Sequence, residues 1–128
     1  HSVRPYQHVL ESLNAYLLIA EKQYYDKNFE GAYNVGPDEN DCVSTGELTS
    51  MFCEKWGQGA AWINKYDGGP HEAKFLKLDC SKASNRLKWD PKWNLQLTLK
   101  SIVDWHQLYT NGGDLKKQCL KEINNYSK

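Results

Sequence analysis

Val9, Leu10, Leu13, Tyr16, Leu17, Ala20 and Tyr24 recur at three- and four-residue spacing, which predicts one apolar face of an amphipathic helix. Pro5 stands just ahead of it, where helices tolerate proline. The period fades over 26–28, and "GAYNVGP" (31–37) follows as a short β-prone run bounded by Gly31 and the Gly36-Pro37 breaker. "STGE" (44–47) is a capping box: Ser44 and Glu47 can exchange side-chain and backbone hydrogen bonds. Leu48, Met51, Phe52 and Trp56 form the stripe behind it, and Gly57 ends that helix.

"AAWIN" (60–64) is a second strand candidate, 64–72 is a turn-rich loop, and "AKFLKLD" (73–79) is a third strand candidate. Asp79 or Ser81 then caps a short helix through Arg86, and "WDPKWN" makes a rigid connection in which Trp89 and Trp93 are expected to pin the final helix onto the domain. Asn94 opens the next helix, whose inward face is expected to carry Leu95, Leu99, Ile102, Val103, His106 and Tyr109. "NGG" (111–113) stops it. Asp114 starts a last helix with Leu115, Cys119, Ile123 and Tyr126 inward. The pattern is one small α+β domain over 1–128, mostly helical with a few short strands, without repeats or a long linker.

At 128 residues, 40% of them hydrophobic, the chain has material for one folded core. Sixteen basic residues balance sixteen acidic ones, so no net field favours nucleic acid or an anionic membrane. Cys42, Cys53, Cys80 and Cys119 make no C-x-x-C pair, which argues against a zinc or redox motif. Two disulfides are arithmetically open, but the expectation is free buried thiols in a reducing, cytoplasmic setting. No apolar run reaches the ~18 residues that suggest a membrane span.

The histidines are scattered, and no G-x-S-x-G elbow, metal spacing or G-x-G-x-x-G turn occurs. Catalytic residues and a metal site are therefore not expected. Three stretches are candidates for binding. Arg4 is one of only two arginines and precedes a helix N-terminus, a combination suited to a pyrophosphate. A solvated surface arginine is the plain alternative, and His8 reads equally as a satisfied first-turn residue. Gly68-Gly69-Pro70-His71-Glu72 could set His71 or Glu72 at a pocket mouth, or be an ordinary loop. Lys77 and Lys82 flank Asp79, whose simplest role is helix initiation.

In order, "VRPYQHVLESL", "YNVGP", "GPHEAKFLKLDCSKA", "LKWDPKWNLQLTL" and "GGDLKKQCLKEINNY" resemble the C-terminal portion of the CDP-glucose 4,6-dehydratase family, extended short-chain dehydrogenase/reductases acting on nucleotide sugars. The resemblance implies the substrate-binding domain of such an enzyme, a lyase of deoxysugar and lipopolysaccharide (O-antigen) synthesis, with position 1 a cut edge. The family reaction takes CDP-glucose to CDP-4-keto-6-deoxyglucose by oxidation, loss of water and hydride return. It needs NAD, held by a Rossmann domain with a Gly-rich turn and a Tyr-x-x-x-Lys pair, and none of the eight tyrosines here has Lys four residues on. The fragment alone is therefore expected to be inactive.

The resemblance makes Arg4 a pyrophosphate contact and Glu72 a base or ribose acceptor, with His71 a further substrate contact. Gln7 and His8 either touch substrate or orient the Arg4 segment. It also implies CDP-glucose and the chain's own Rossmann domain as partners, a homo-oligomeric whole enzyme, and an apolar surface exposed without that domain. A non-catalytic stand-alone binding module and another nucleotide-sugar dehydratase or epimerase are the alternatives. Tyr6 stands where the family has Trp, and Lys88 where it has a helix-ending Gly, so Lys88 must find another cap or bear left-handed strain.

Overall fold

The computed structural model describes residues 2–65 and 73–128. Among them run strand β1 (Val3–Pro5), helix α1 (Val9–Tyr25), 3-10 turns at Lys27–Phe29 and Glu39–Asp41, strand β2 (Cys42–Ser44), helix α2 (Thr45–Trp56), a π-helix (Ala83–Leu87), and helices α3 (Leu95–Thr110) and α4 (Leu115–Tyr126). β1 and β2 pair antiparallel, with Val3 opposite Ser44, Arg4 opposite Val43 and Pro5 opposite Cys42. The mostly helical character is as expected.

The strands are not where the β-prone runs lie. Residues 31–37 and 60–64 form no ladder, and 73–79 contributes one parallel bridge, Phe75 to Val3. The strands that form are each three residues long, too short to show a period of two.

Helix starts follow local chemistry closely. Ser44 Oγ accepts from the Glu47 N–H at 3.2 Å while Glu47 Oε2 accepts from the Ser44 N–H at 2.8 Å, and the paired bonds hold the Glu47 carboxyl below its ordinary pKa. Asn94 and Asp114 cap α3 and α4 with a single side-chain bond each, Oδ1 accepting from the Leu97 and Lys117 N–H groups. Gly57 and Gly112, both at positive φ, follow the ends of α2 and α3. Asp79 Oδ1 accepts from the Ser81 N–H at 2.9 Å, opening the expected short helix, which widens so that the Lys88 N–H reaches Ala83 O as well as Ser84 O. Lys88 then adopts φ 58°, ψ 35°, the left-handed conformation that costs a non-Gly residue roughly 1–2 kcal/mol.

The predicted inward face of α1 is a correction. The side packed into the protein carries Glu11, Ala15, Leu18 and Ile19, against Ala83, Leu87 and Trp89 of the core. Val9, Leu13, Tyr16, Leu17 and Tyr24 lie on the opposite face and are exposed, Leu17 at 73% and Tyr24 at 83%. At 100° per residue the two sets sit half a turn apart. The helix is apolar on both sides, and the side bearing the small Ala15 lies against Ala83 of the π-helix.

On α3, Leu95, Leu99 and Val103 are buried as expected, joined by Thr98 and Ser101, while Ile102, His106 and Tyr109 are exposed. On α4 only Tyr126 is buried; Leu115 is half-buried, and Cys119 and Ile123 face outward. All four cysteines are free thiols, three half-buried and Cys119 exposed, so none is fully buried. Trp89 sits in the core and Trp93 packs on His8 and Tyr126, the pinning role expected of the pair. No helix among the described residues is long and apolar enough to cross a membrane.

Candidate functional site

β1 positions Arg4. The strand is held on one side by β2 and on the other by the segment following residue 72, where the Val3 N–H donates to Lys74 O at 3.0 Å and the Leu76 N–H to Val3 O at 3.1 Å. Arg4 is half-buried, and its Nη1 donates to Val3 O at 2.8 Å. It is therefore a strand residue rather than one abutting a helix N-terminus, four positions before the cap.

That cap is His8. Its Nδ1 accepts from the Leu10 N–H at 3.3 Å, and its backbone carbonyl takes the Glu11 N–H. The imidazole is buried and lies 4.8 Å from the Trp93 ring. Burial pushes its pKa below the ordinary histidine value, against the smaller opposing pull of Glu122 and Glu11. A neutral ring is what the cap needs, since Nδ1 must keep its lone pair. Gln7 ties two elements together: Nε2 donates to Ser12 Oγ at 3.0 Å and to Val35 O at 3.2 Å. His71 and Glu72 lie outside the described residues.

The remaining candidates are held by local structure. Lys77 pairs with Glu39 at 3.2 Å, Lys82 donates to Ala32 O at 2.8 Å over the Tyr33 ring, and Asp79 caps. The second arginine, Arg86, donates to Asn28 O and covers the Phe29 ring. These contacts bind the 27–33 segment to the π-helix.

Sequence reasoning missed Glu11. It is fully buried, with Oε1 accepting from the Lys92 and Trp93 N–H groups at 3.0 and 2.7 Å and Oε2 from the Tyr126 hydroxyl at 2.7 Å. Burial first, and this bond second, push the Tyr126 pKa well above its ordinary value. The only sequence signal was an acid on the face opposite the predicted stripe. Missed as well was a cleft of about 370 Å³ lined by Tyr6, Gln7, Phe52, Thr98, Leu99 and Ile102, among others, which joins the β1–α1 link to α2 and α3.

No family model matches the chain. Compared with curated proteins, it is 39% identical over 127 residues, 98% of its length, to the CDP-glucose 4,6-dehydratase of Salmonella typhimurium. The chain is related to a part of that enzyme. It spans 35% of the dehydratase's length, so the relationship is with a portion of the Salmonella protein.

Proposed function

We propose that this chain is the substrate-binding portion of a CDP-glucose 4,6-dehydratase, with Arg4 on the pyrophosphate and His71 and Glu72 near the nucleotide. The observation that carries the reading is identity to the Salmonella dehydratase running through essentially the whole chain. The half-buried placement of Arg4, on a strand braced on both sides, is compatible with a fixed cationic contact.

The parent reaction takes NAD as hydride carrier, and the described residues do not fit it. Among the described residues, each of the four α-helix N-termini is closed by its own side-chain cap, at His8, Ser44, Asn94 and Asp114, and none opens from a Gly-rich turn toward a pyrophosphate. The oxidation and dehydration steps are accordingly assigned to the remainder of the enzyme. The outward apolar face of α1 supports a partner body there, and we assign it to the parent's nucleotide-binding domain.

Calorimetric titration with CDP-glucose, UDP-glucose and NAD tests the reading. CDP-glucose is expected to bind, Arg4→Ala to abolish that binding, and NAD to give no heat. NAD binding, or no nucleotide-sugar binding, would overturn it.

A further inference from the structure

Helix α4 is fastened to the rest of the chain almost entirely through its last turn. Its better-covered side carries Leu115, Gln118, Glu122 and Tyr126, of which only Tyr126 is buried. Gln118 Nε2 donates to Glu122 Oε1 at 2.9 Å, so these two satisfy each other within α4 rather than bonding to α3. A groove of about 310 Å³ runs between the two helices, lined by Trp93, Leu97, Ser101, Gln118 and Glu122 among others, and that interface is not close-packed. Leu120 and Ile123 point the other way, 53% and 46% exposed. Little apolar area is therefore given up to water if α4 leaves α3.

Among the described residues, every side-chain hydrogen bond from α4 to another element meets at Tyr126. Its hydroxyl donates to Glu11 Oε2 at 2.7 Å, and its carbonyl accepts from Lys92 Nζ at 3.1 Å. Its ring stands edge-on to Trp93, centroids 5.4 Å apart, with the Lys92 ammonium 5.1 Å from its centre. At the other end Gly112 and Gly113 join α4 to α3. Gly112 sits at φ 69°, and a Cβ on Gly113 would run into Leu108. Release strands no group in the protein: Glu11 Oε1 keeps the Lys92 and Trp93 N–H groups, and Oε2 exchanges the Tyr126 hydroxyl for water.

We infer that α4 is a latched strap: it leaves α3 as a unit about the Gly112–Gly113 joint when Tyr126 disengages from Glu11, while α1, α2 and α3 stay folded. Opening bares the Glu11 carboxylate and the Trp93 ring, which also carries His8 at 4.8 Å. The latch and the cap of α1 thus share one aromatic wall. The inference does not depend on the nucleotide-sugar reading.

Native-state hydrogen exchange in low urea, resolved by helix, tests it on the unaltered chain. The slowest α4 amides are expected to exchange at least about tenfold faster than the slowest amides of α2 and α3, with a weaker urea dependence, because the opening exposes less surface. Tyr126→Phe should speed α4 exchange at least about tenfold, the loss of one hydrogen bond to a charged group. Phe52→Leu removes a ring stacked on Trp56 in α2; it should speed exchange in α2 and α3 and leave α4 unchanged. Equal rates and equal urea slopes in α4 and α3 would overturn the inference. So would Tyr126→Phe leaving α4 exchange as it was, or Phe52→Leu accelerating α4 alongside α2. If a variant does not fold, the comparison of helices in the unaltered chain decides alone.

Discussion

Removing the Glu11 carboxylate should be the most damaging single truncation of a polar side chain in this fold. Three donors converge on it, two backbone N–H groups at the entry to α3 and the Tyr126 hydroxyl from the end of α4. Glu11→Ala leaves all three unpaired in a site with no exposure. At about 1–3 kcal/mol for each stranded buried donor, and with water entering the vacated space to recover part, the expected loss is about 3–5 kcal/mol. Glu11→Gln keeps an oxygen for the two N–H groups and offers an amide to a hydroxyl that can turn to accept. It exchanges charge-assisted for neutral bonds and should cost about 1–2 kcal/mol. Tyr126→Phe removes one donor to the carboxylate, about 1.5–3 kcal/mol. Urea unfolding of the three variants and of Glu11→Gln with Tyr126→Phe gives the ordering and the coupling. A Glu11→Ala chain within 1 kcal/mol of the parent would refute the argument, since three buried donors cannot all lose their acceptor at so small a cost.

Other outcomes follow from the same structure. Lys88→Gly should stabilise by about 0.5–1 kcal/mol in urea, because glycine relieves the left-handed conformation and gives back part of the gain as unfolded-chain entropy. His8 has a lowered pKa in the fold, so the unfolded chain binds its proton first; stability is full above the ordinary value of 6.5 and falls as pH drops from there through the folded value. His8→Asn, which retains a capping side chain, should flatten that part of the pH profile. Tyr126 has a raised pKa, so its contribution is full below the ordinary value of 10 and is lost as pH rises beyond it; Tyr126→Phe should show a shallower alkaline decline. Leu17→Lys on the exposed face of α1 should leave urea stability within about 0.5 kcal/mol and reduce self-association in sedimentation velocity.

Features decided within four residues were legible in the sequence. The Ser44–Glu47 box and the Asn94 and Asp114 caps are local contests between a side chain and the nearest backbone groups, whereas at Lys88 the sequence left another cap or left-handed strain open and the structure shows the left-handed conformation. The buried face of α1 was not legible, because periodicity ranks apolar arcs by size. Here the larger arc is the exposed one, and close packing of Ala15 near Ala83 selected the other. Residues 73–79 show β propensity but among the described residues form a β-bridge with Val3 alone, and propensity by itself supplies no second strand. Of the candidate site, the Arg4-to-His8 segment could be picked out as a unit, but its strand and its cap depend on contacts far along the chain.

The bond from Tyr126 to Glu11 spans 115 positions. During synthesis α1 emerges with a carboxylate on the face destined for the interior, and its last partner arrives only when α4 does. At about 5–20 residues per second that interval is roughly 6–23 s. Until then the charge keeps that face of α1 in water and opposes its premature burial. The core can close around a fully paired Glu11 only once the far end of the chain is present.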